Sequence, residues 1–232
     1  MTRRILPGTP PVEITLRRSA RARRYSLRVS RLDGRVTLSL PARAPEAEAL
    51  AFAREKADWI RAALQSAPVR AVVGLDSVLP VEGRPCVVRA GAVRAPRIVA
   101  DELLVPRRAT GTGRQVEAFL KLMARDRLAS ACDLYAGRLG RAYGSLTLRD
   151  TRSRWGSCSA AGGLMFSWRL ILAPPEVLGY VAAHEVAHLV EMNHSPAFWR
   201  VVASLCPDYR HHRAWLRREG QNLHAYDFTG QD

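Results

Sequence analysis

Hydrophobic and polar residues alternate along the first forty positions, a period of two that is typical of half-buried strands. The alternation predicts three strands, Val12–Leu16, Tyr25–Val29 and Val36–Leu40. Between the second and the third strand, Leu32-Asp33-Gly34-Arg35 contains an Asp-Gly pair and predicts a hairpin turn. Apolar residues then recur at helical spacing from Pro45 to about Leu64, which predicts a helix.

The pattern changes twice in the middle of the chain. Residues 66–115 are rich in Val, Gly and Pro and predict short strands, among them Cys86–Arg89 and Arg97–Val99. Helical periodicity returns over about Gln115–Leu139. Gly140 and Gly144 predict the end of this long helix.

Length and composition agree with a folded α+β protein. The 232 residues are enough for one large domain or two small ones, and 47% hydrophobic with 25% charged residues are globular values. We expect a boundary in the Pro- and Gly-containing stretch 106–113. It would separate a strand-rich domain, residues 1–110, from a mostly helical domain, residues 111–232.

Several protein classes are excluded by simple patterns. No run of 18 apolar residues occurs, so we expect no membrane-spanning helix, and the basic N-terminus lacks the apolar segment of a secretory signal. The four cysteines form no CxxC pair, so the sequence suggests neither a disulfide scaffold nor a cysteine-based zinc knuckle. Reduced thiols in a cytoplasmic protein with no membrane partner fit these observations.

Positive charge is concentrated at the N-terminus. The chain has 36 Lys and Arg against 21 Asp and Glu, a net charge of +15, and residues 1–44 hold eleven Arg against two acids. Such a block either binds nucleic acid or another polyanion, or is a solvated arginine-rich surface. The arginines proposed for phosphate binding cluster between predicted strands: Arg17, Arg18, Arg21, Arg23 and Arg24.

The candidate chemistry lies further along, in a region that starts with a predicted strand at Leu146–Arg149. A polar loop, Arg152–Cys158, separates it from a second predicted strand, Leu164–Trp168. Pro174-Pro175-Glu176 then predicts the start of a helix, since proline suits the first turn and an acid suits a helix N-terminus.

That helix carries the sequence His184-Glu185-Val186-Ala187-His188. Two histidines four residues apart lie about 40° apart on one helix face. Both imidazoles can therefore reach one ion at the roughly 2.0–2.1 Å that zinc requires, with Glu185 beside them to take a proton from a metal-bound water. The alternative is a buried helix whose histidines are satisfied by neighbours, but unpaired His and Glu are costly in so apolar a helix.

A third ligand is needed, and His194 is the favoured one. On a continuous helix it would lie about 9 Å beyond His188 along the axis, too far for a shared ion. The helix must therefore end and turn back between them. Asn193 is a candidate for a left-handed helix cap, and Ser195-Pro196 predicts the N-cap and first turn of a new helix.

Glu191 competes with His194 as the third ligand. It lies near the His184 face of the helix, three residues after His188, and a carboxylate there would be chemically sensible. The spacing of the three histidines also matches that of the metzincins, although their glycine is replaced by Glu191. The weaker candidates are His211 and His212.

Five short segments together resemble the YgjP-like metallopeptidase family, a small zincin family related to the SprT and Wss metalloproteases. The segments are Arg154–Cys158, Pro174-Pro175, His184–Ser195, Phe198-Trp199 and Pro207-Asp208-Tyr209. The resemblance is strongest over about 145–223, and the N-terminal strands and helix resemble the family's leading domain less specifically. It implies zinc, with these ligands and base: His184, His188, His194 and Glu185.

Other marked residues have two interpretations each. Arg154, Trp155 and Ser157 are candidate substrate-binding residues of the cleft; alternatively, Trp155 belongs to the core and its loop is a structural turn. Cys158 contacts the metal site or is a small buried hydrophobe. Tyr209 stabilises an oxyanion or packs. We expect the remaining aromatics to pack behind the metal helix: Phe198 and Trp199.

The predicted function is zinc-dependent hydrolysis of a peptide or protein. In many zincins the substrate adds a strand to a sheet edge, and the resemblance points to Leu164–Trp168 as that edge. Two alternatives stay open: a nucleic-acid-associated protein in which protease and basic domain act together, and a non-catalytic zinc-stabilised binding module. Glu185 argues against the last, because a structural zinc site needs four closed ligands and no base.

Overall fold

Two compact units, Met1–Arg70 and Ala71–Asp232, make up the chain. The computed structural model describes residues 2–30, 34–65, 71–107 and 110–230. The boundary predicted at 106–113 falls inside the second unit. The strands before that stretch and the helix after it contribute to one hydrophobic core, so the chain does not divide there.

The first unit is a four-stranded sheet with two helices. Its elements are β1 (Thr2–Leu6), β2 (Val12–Ser19), β3 (Ser26–Val29), β4 (Val36–Pro41), α1 (Glu46–Glu55) and α2 (Ala57–Gln65). The three predicted strands are present as β2, β3 and β4. The pattern does not predict β1, because its sequence Thr-Arg-Arg-Ile-Leu does not alternate. The single helix predicted to run to Leu64 is broken at Lys56, where ψ is 13°.

Strand order in this sheet is β1-β2-β4-β3, with β2 and β4 parallel and the other pairs antiparallel. The alternation turns one face inward against both helices. Its buried strand residues are Leu6, Val12, Ile14, Leu16, Val36, Leu38 and Leu40. The antiparallel pairing of β3 with β4 is that of a hairpin, and Gly34 has a positive φ of 66°. Of the predicted turn, Leu32 and Asp33 lie outside the described residues.

The second unit is longer and contains the rest of the secondary structure. Its strands are β5 (Ala71–Val72), β6 (Val78–Val81), β7 (Arg84–Gly91), β8 (Arg97–Val99), β9 (Glu102–Pro106), β10 (Ser145–Arg149), β11 (Gly156–Cys158), β12 (Gly163–Ser167) and β13 (Tyr226–Asp227). Its helices are α3 (Thr112–Leu139), α4 (Pro175–Ala187), α5 (Pro196–Leu205) and α6 (Tyr209–Glu219), with 3-10 turns at Trp168–Leu172 and Gly220–His224. The protein is therefore α+β, as predicted.

Helix α3 contributes one buried face to the core of the second unit. It buries residues at four-residue intervals, namely Val116, Leu120, Ala124, Leu128, Cys132 and Ala136. These pack in one core with the sheet β6-β7-β9-β8 and with the helices that follow. The helix ends at Gly140, in the left-handed conformation (φ 60°) that a glycine cap adopts, as predicted.

A smaller sheet, in the order β10-β12-β11, lies beside helix α4. Strand β12 runs parallel to β10 and antiparallel to β11, so it is the central strand. The prediction that Leu164–Trp168 forms an edge is therefore wrong. Strand order depends on long-range pairing, which the local pattern does not reveal. The edge strand in contact with α4 is β11.

All four cysteines are free, as their spacing predicts. Cys86, Cys132 and Cys206 are buried and Cys158 is half-buried, so most of these thiols pack as small apolar groups. Within the described ranges, no helix is both long and apolar enough to cross a membrane.

A buried arginine ties the end of β10 to the C-terminal segment. The Arg169 guanidinium donates to both carboxylate oxygens of Asp150, at 2.7 and 3.0 Å, and to the carbonyls of Leu223 and Tyr226. Burial raises the pKa of Asp150. The hydrogen bonds and charge of Arg169 outweigh that effect, and the net pKa lies below the usual range. The ion pair therefore stabilises the fold when Asp150 is charged.

We expect Asp150→Asn to lower the free energy of unfolding by about 1–2 kcal/mol at neutral pH. This is less than for a fully buried pair, because the Asp150 side chain is 42% exposed. A lowered carboxyl pKa contributes stability above the unfolded-state pKa of about 4 and loses it as pH falls through the folded value. The variant should thus lose less stability than wild type between about pH 7 and pH 3, measured by urea unfolding with tryptophan fluorescence. Asp126→Asn, an exposed change of equal charge, is the control; equal pH profiles in all three proteins would contradict the prediction.

Candidate metal centre

Helix α4 presents polar side chains from an otherwise apolar element. It begins at Pro175, as predicted, and most of its residues are buried, including Glu185, which is 5% exposed. His184 lies in its last turn, and His188 is the C-terminal cap. The end of the helix therefore places both histidines and the carboxylate side by side.

The chain reverses direction directly after His188. The amides of Val190 and Glu191 donate to the Ala187 carbonyl, at 3.1 and 3.0 Å, and close the helix in a tight turn. Ser195 caps α5 by accepting from the Phe198 amide at 3.3 Å. The predicted break and restart are thus confirmed.

The left-handed cap predicted at Asn193 is wrong. Its φ is not among the positive values, and the helix has already ended six residues earlier, at Ala187. The tight turn at the helix end supplies the reversal without any left-handed residue. Asn193 instead accepts, through its carbonyl, a hydrogen bond of 2.7 Å from the Ser195 amide.

The reversal brings three imidazoles together. One ring nitrogen from each of His184, His188 and His194 lies within 4.8 Å of the other two. The Nε2 atoms of His184 and His194 are 3.0 Å apart. Among the described residues, this is the group of His, Cys, Asp or Glu side chains whose geometry suits one metal ion.

The tautomer of His188 is fixed by the backbone. Its Nδ1 lies 2.9 Å from the carbonyl oxygen of Glu191, which can only accept, so Nδ1 carries the proton. Nε2 is therefore the unprotonated nitrogen that a metal ligand requires. A backbone carbonyl in this position is a common support for ligating histidines.

Glu191 thus contributes to the site through its main chain. Its side chain is not part of the three-residue cluster, whereas its carbonyl orients His188. His211 and His212 also lie outside the cluster, and their rings face each other on α6 at 5.7 Å. The geometry favours His194 over these competitors as the third ligand.

Phe198 packs against all three imidazoles. It is fully buried, and its ring centroid lies 4.9 Å from His184, 4.5 Å from His188 and 4.7 Å from His194. Trp199 also approaches His184 and His194, and Tyr209 stacks on Trp199 at 5.3 Å. The packing role predicted for Phe198 and Trp199 agrees with this arrangement.

Burial keeps the two helix-end histidines uncharged at neutral pH. It lowers the pKa of His184 to about 3, assisted by His188 and His194. Burial also lowers the pKa of His188, although its hydrogen bond to the Glu191 carbonyl acts in the opposite direction. Neutral imidazole is the form that binds metal, so these two side chains are prepared for ligation.

Glu185 lies against the backbone of β11. An added Cβ on Gly156 would approach Glu185 Oε1 to 2.6 Å, so only glycine leaves room for the carboxyl group at this position. Burial raises the pKa of Glu185 to about 7, while the positive charge of Arg154 lowers it in part. The sequence pattern gave no sign of this Gly156 contact, because nothing local links residue 156 to residue 185.

A cavity of about 230 Å³ opens where these groups meet. Its lining residues are Gly156, Ser157, Cys158, His184, Glu185, His188, Met192 and His194. The cavity therefore adjoins the histidine cluster, the carboxylate and the strand β11. Met192, which is half exposed, is a lining residue that sequence analysis did not single out.

The predicted substrate-binding residues lie at different distances from this cavity. Ser157 lines it, and the charge of Arg154 acts on Glu185. Trp155 is not among the lining residues; it stacks on His224 at 5.0 Å and packs against the core. Substrate binding by these residues stays a prediction.

Cys158 and Tyr209 also occupy different positions. Cys158 lines the cavity, and its thiol donates to the Ser159 carbonyl at 3.4 Å. Tyr209 is outside the lining and mostly buried, with its hydroxyl accepting from Arg210 at 3.3 Å. Packing against Trp199 accounts for its position.

Comparison with known proteins assigns the sequence to a family. The sequence matches the YgjP-like metallopeptidase domain over residues 23–219. The chain belongs to the YgjP-like metallopeptidase family. No curated protein matches the sequence significantly. Among solved structures, the chain is similar to the metallopeptidase zymogen of Pyrococcus abyssi abylysin, with a TM-score of 0.36 and 21% identity over 40% of this chain and 93% of that chain.

Membership of the YgjP-like family implies a metal-dependent hydrolase, and the residues present fit a metal. Three imidazoles converge, the tautomer of one is already fixed, and a cavity that also holds the Glu185 carboxyl adjoins them. The ligands of this YgjP-like chain would be His184, His188 and His194.

We expect wild-type protein purified without added metal to contain about one metal ion per chain. His194→Ala should lose most of it, because it removes a ligand nitrogen. Glu191→Ala should retain it, because alanine preserves the carbonyl that orients His188. Elemental analysis of the three proteins measures this directly; greater metal loss in the Glu191 variant would move the third ligand to that carboxylate.

Proposed function

We propose that the protein is a zinc peptidase that hydrolyses peptide bonds with Glu185 as the general base. The observation that carries the proposal is the placement of Glu185 beside the three-histidine cluster in one cavity. A ligand cluster alone would serve binding as well as catalysis. A buried carboxylate that faces the same space supplies the proton acceptor that hydrolysis needs.

Zinc is the metal that this donor set favours. Three histidine nitrogens with no thiolate form a catalytic type of zinc site, in which the protein leaves one coordination position open. A structural site would have four protein ligands, and no fourth His, Cys, Asp or Glu joins the cluster among the described residues. When bound, zinc polarises a carbonyl and makes water more acidic.

The role of Glu185 follows from its surroundings. The carboxyl has no hydrogen-bond or ion-pair partner among the described residues, so its oxygens are available to a water or a substrate in the cavity. Glu185 would take a proton from the attacking water and then deliver it to the departing amine. Arg154, whose charge acts on this carboxyl, favours its charged form as the proton acceptor.

The edge of β11 supplies a place for an extended peptide. The Ser167 amide donates to the Trp155 carbonyl, and the Ser159 amide donates to the Gly163 carbonyl, on either side of β11. The main-chain groups of the odd-numbered residues in this segment therefore face β12. By antiparallel alternation, the main-chain groups of Gly156 and Cys158 face the other way. A substrate strand can pair with them and cross the cavity next to Glu185.

A non-catalytic binding module explains fewer of these features. Such a module needs neither an open coordination position nor a carboxylate kept free in the cavity. Burying Glu185 without a partner is costly, and selection for stability alone would not favour it. The peptidase proposal gives this costly group a function.

We expect Glu185→Gln to keep the metal and the fold but to lose hydrolysis by about 10²–10⁴-fold, since an amide cannot accept the proton. The measurement is the appearance of new peptide N-termini when wild type and variant are incubated with a proteome-derived peptide library. Metal content and thermal unfolding serve as controls. Equal cleavage by both proteins would exclude Glu185 as the base.

Gly156→Ala should reduce hydrolysis while leaving metal content unchanged, because the new methyl group displaces the Glu185 carboxyl and not the histidines. Gly137→Ala is the matched control, since a Cβ at that helical position meets nothing within 4 Å. The same peptide library and elemental analysis give the two readouts. If the Gly156 variant cleaves as well as the Gly137 variant, the contact between β11 and Glu185 is unimportant for catalysis.

A further inference from the structure

The sheet of the first unit has an outer face that carries arginines. Strand alternation turns Arg3, Arg17 and Arg28 away from the buried core residues, and all three are exposed. The strand register aligns Arg3, Thr15, Thr37 and Arg28 in one row across all four strands. At the usual strand spacing, this row spans about 14 Å.

Arginines on the opposite side of the same sheet have structural partners. Arg18 donates to the carbonyls of Ala42 and Ala44, both at 2.8 Å, and Arg4 pairs with Glu46 at 2.6 Å. Arg18 therefore does not belong to the phosphate-binding group predicted from the sequence. The structure separates arginines that hold the unit together from arginines that do not.

The outward arginines are largely free. Within the described residues, the guanidinium groups of Arg17 and Arg28 have no hydrogen-bond or ion-pair partner. Arg3 faces Glu13 at 3.4 Å, and both side chains are more than half exposed. An exposed pair of this kind is weak and is easily exchanged for another anion. The face therefore presents net positive charge.

The connection between β2 and β3 extends this charge at one end of the sheet. Three exposed arginines lie there, close in sequence to the end of β2: Arg21, Arg23 and Arg24. A second row beside them, Arg17, Ser39 and Ser26, adds hydroxyl groups. We call the three outward arginines, Arg3, Arg17 and Arg28, together with these loop arginines, the basic face.

No aromatic side chain is available for base stacking on this face among the described residues. Tyr25 turns inward, where its ring stacks on Phe52 at 6.0 Å and its hydroxyl donates to Glu48 at 2.9 Å. Single-strand binders rely on stacked aromatics, so the basic face lacks their main contact. Ile5 is its exposed apolar side chain, which is too little for insertion into a membrane.

We propose that the basic face binds the phosphate backbone of duplex nucleic acid without reading its sequence. The planar guanidinium of arginine holds phosphate oxygens bidentately, and Ser and Thr hydroxyls donate to them as well. A duplex carries about one charge per 1.7 Å of its axis, more than a single strand, and so rewards a surface that contacts phosphates alone. This interaction is independent of the hydrolytic chemistry proposed for the second unit.

The test uses the full-length chain, fluorescence anisotropy and a labelled DNA duplex of about 20 base pairs over a salt series from about 50 to 200 mM. Removing Arg17 and Arg28 together, by Arg17→Gln and Arg28→Gln, should make the negative slope of log K against log salt shallower by about 1.8. Affinity near 0.15 M salt should fall by about 30-fold, which is roughly fivefold for each lost phosphate contact. Circular dichroism verifies that the variant stays folded.

The matched control removes two exposed arginines of the second unit, by Arg94→Gln and Arg125→Gln, with the same change in net charge. It should bind the duplex within about twofold of wild type. An equal loss in both double variants would overturn the proposal, because net charge alone would explain binding. Tighter binding to the matching single strand, or Arg17- and Arg28-dependent binding to anionic phospholipid vesicles in place of the duplex, would overturn it as well.

Discussion

Contact between Phe198 and three imidazoles is the interaction on which the candidate site depends. The ring lies within 5 Å of His184, His188 and His194 and is fully buried. It therefore joins the start of α5 to the end of α4 across the chain reversal. Without the reversal, His194 would lie about 9 Å along a continued helix. The apolar contact thus helps to hold His194 beside the two histidines of α4.

The local parts of this site could be predicted from sequence. HExxH places two histidines and a carboxylate close together at one end of a helix, and Ser195-Pro196 marks the restart of a helix, as its capping hydrogen bond shows. What could not be predicted depends on distant pairing. Three features join residues that are far apart in the chain. They are the central position of β12, the core that α3 shares with the strands before it, and the approach of Gly156 to Glu185.

The wrong prediction of a left-handed cap at Asn193 has a related cause. A left-handed asparagine is one way to end a helix, but a tight turn on the last carbonyls is another. The sequence does not distinguish them, because both need only a polar, solvent-exposed segment. The turn that forms places the Glu191 carbonyl on His188, so the same turn that ends the helix also orients the His188 ring. Residue 191 matters for its main chain, which no residue-type argument can reveal.

The distribution of surface charge on the first unit also depends on how the strands pair. Eleven arginines in the first 44 residues describe a basic segment, but not a surface. The period-two geometry of the sheet divides them: Arg4 and Arg18 face inward and bind a carboxylate or main-chain carbonyls, while Arg17 and Arg28 face outward. Because a one-residue shift in register would exchange these roles, the surface charge is set by strand register and not by composition. The alternation that builds the hydrophobic face therefore also builds the basic one.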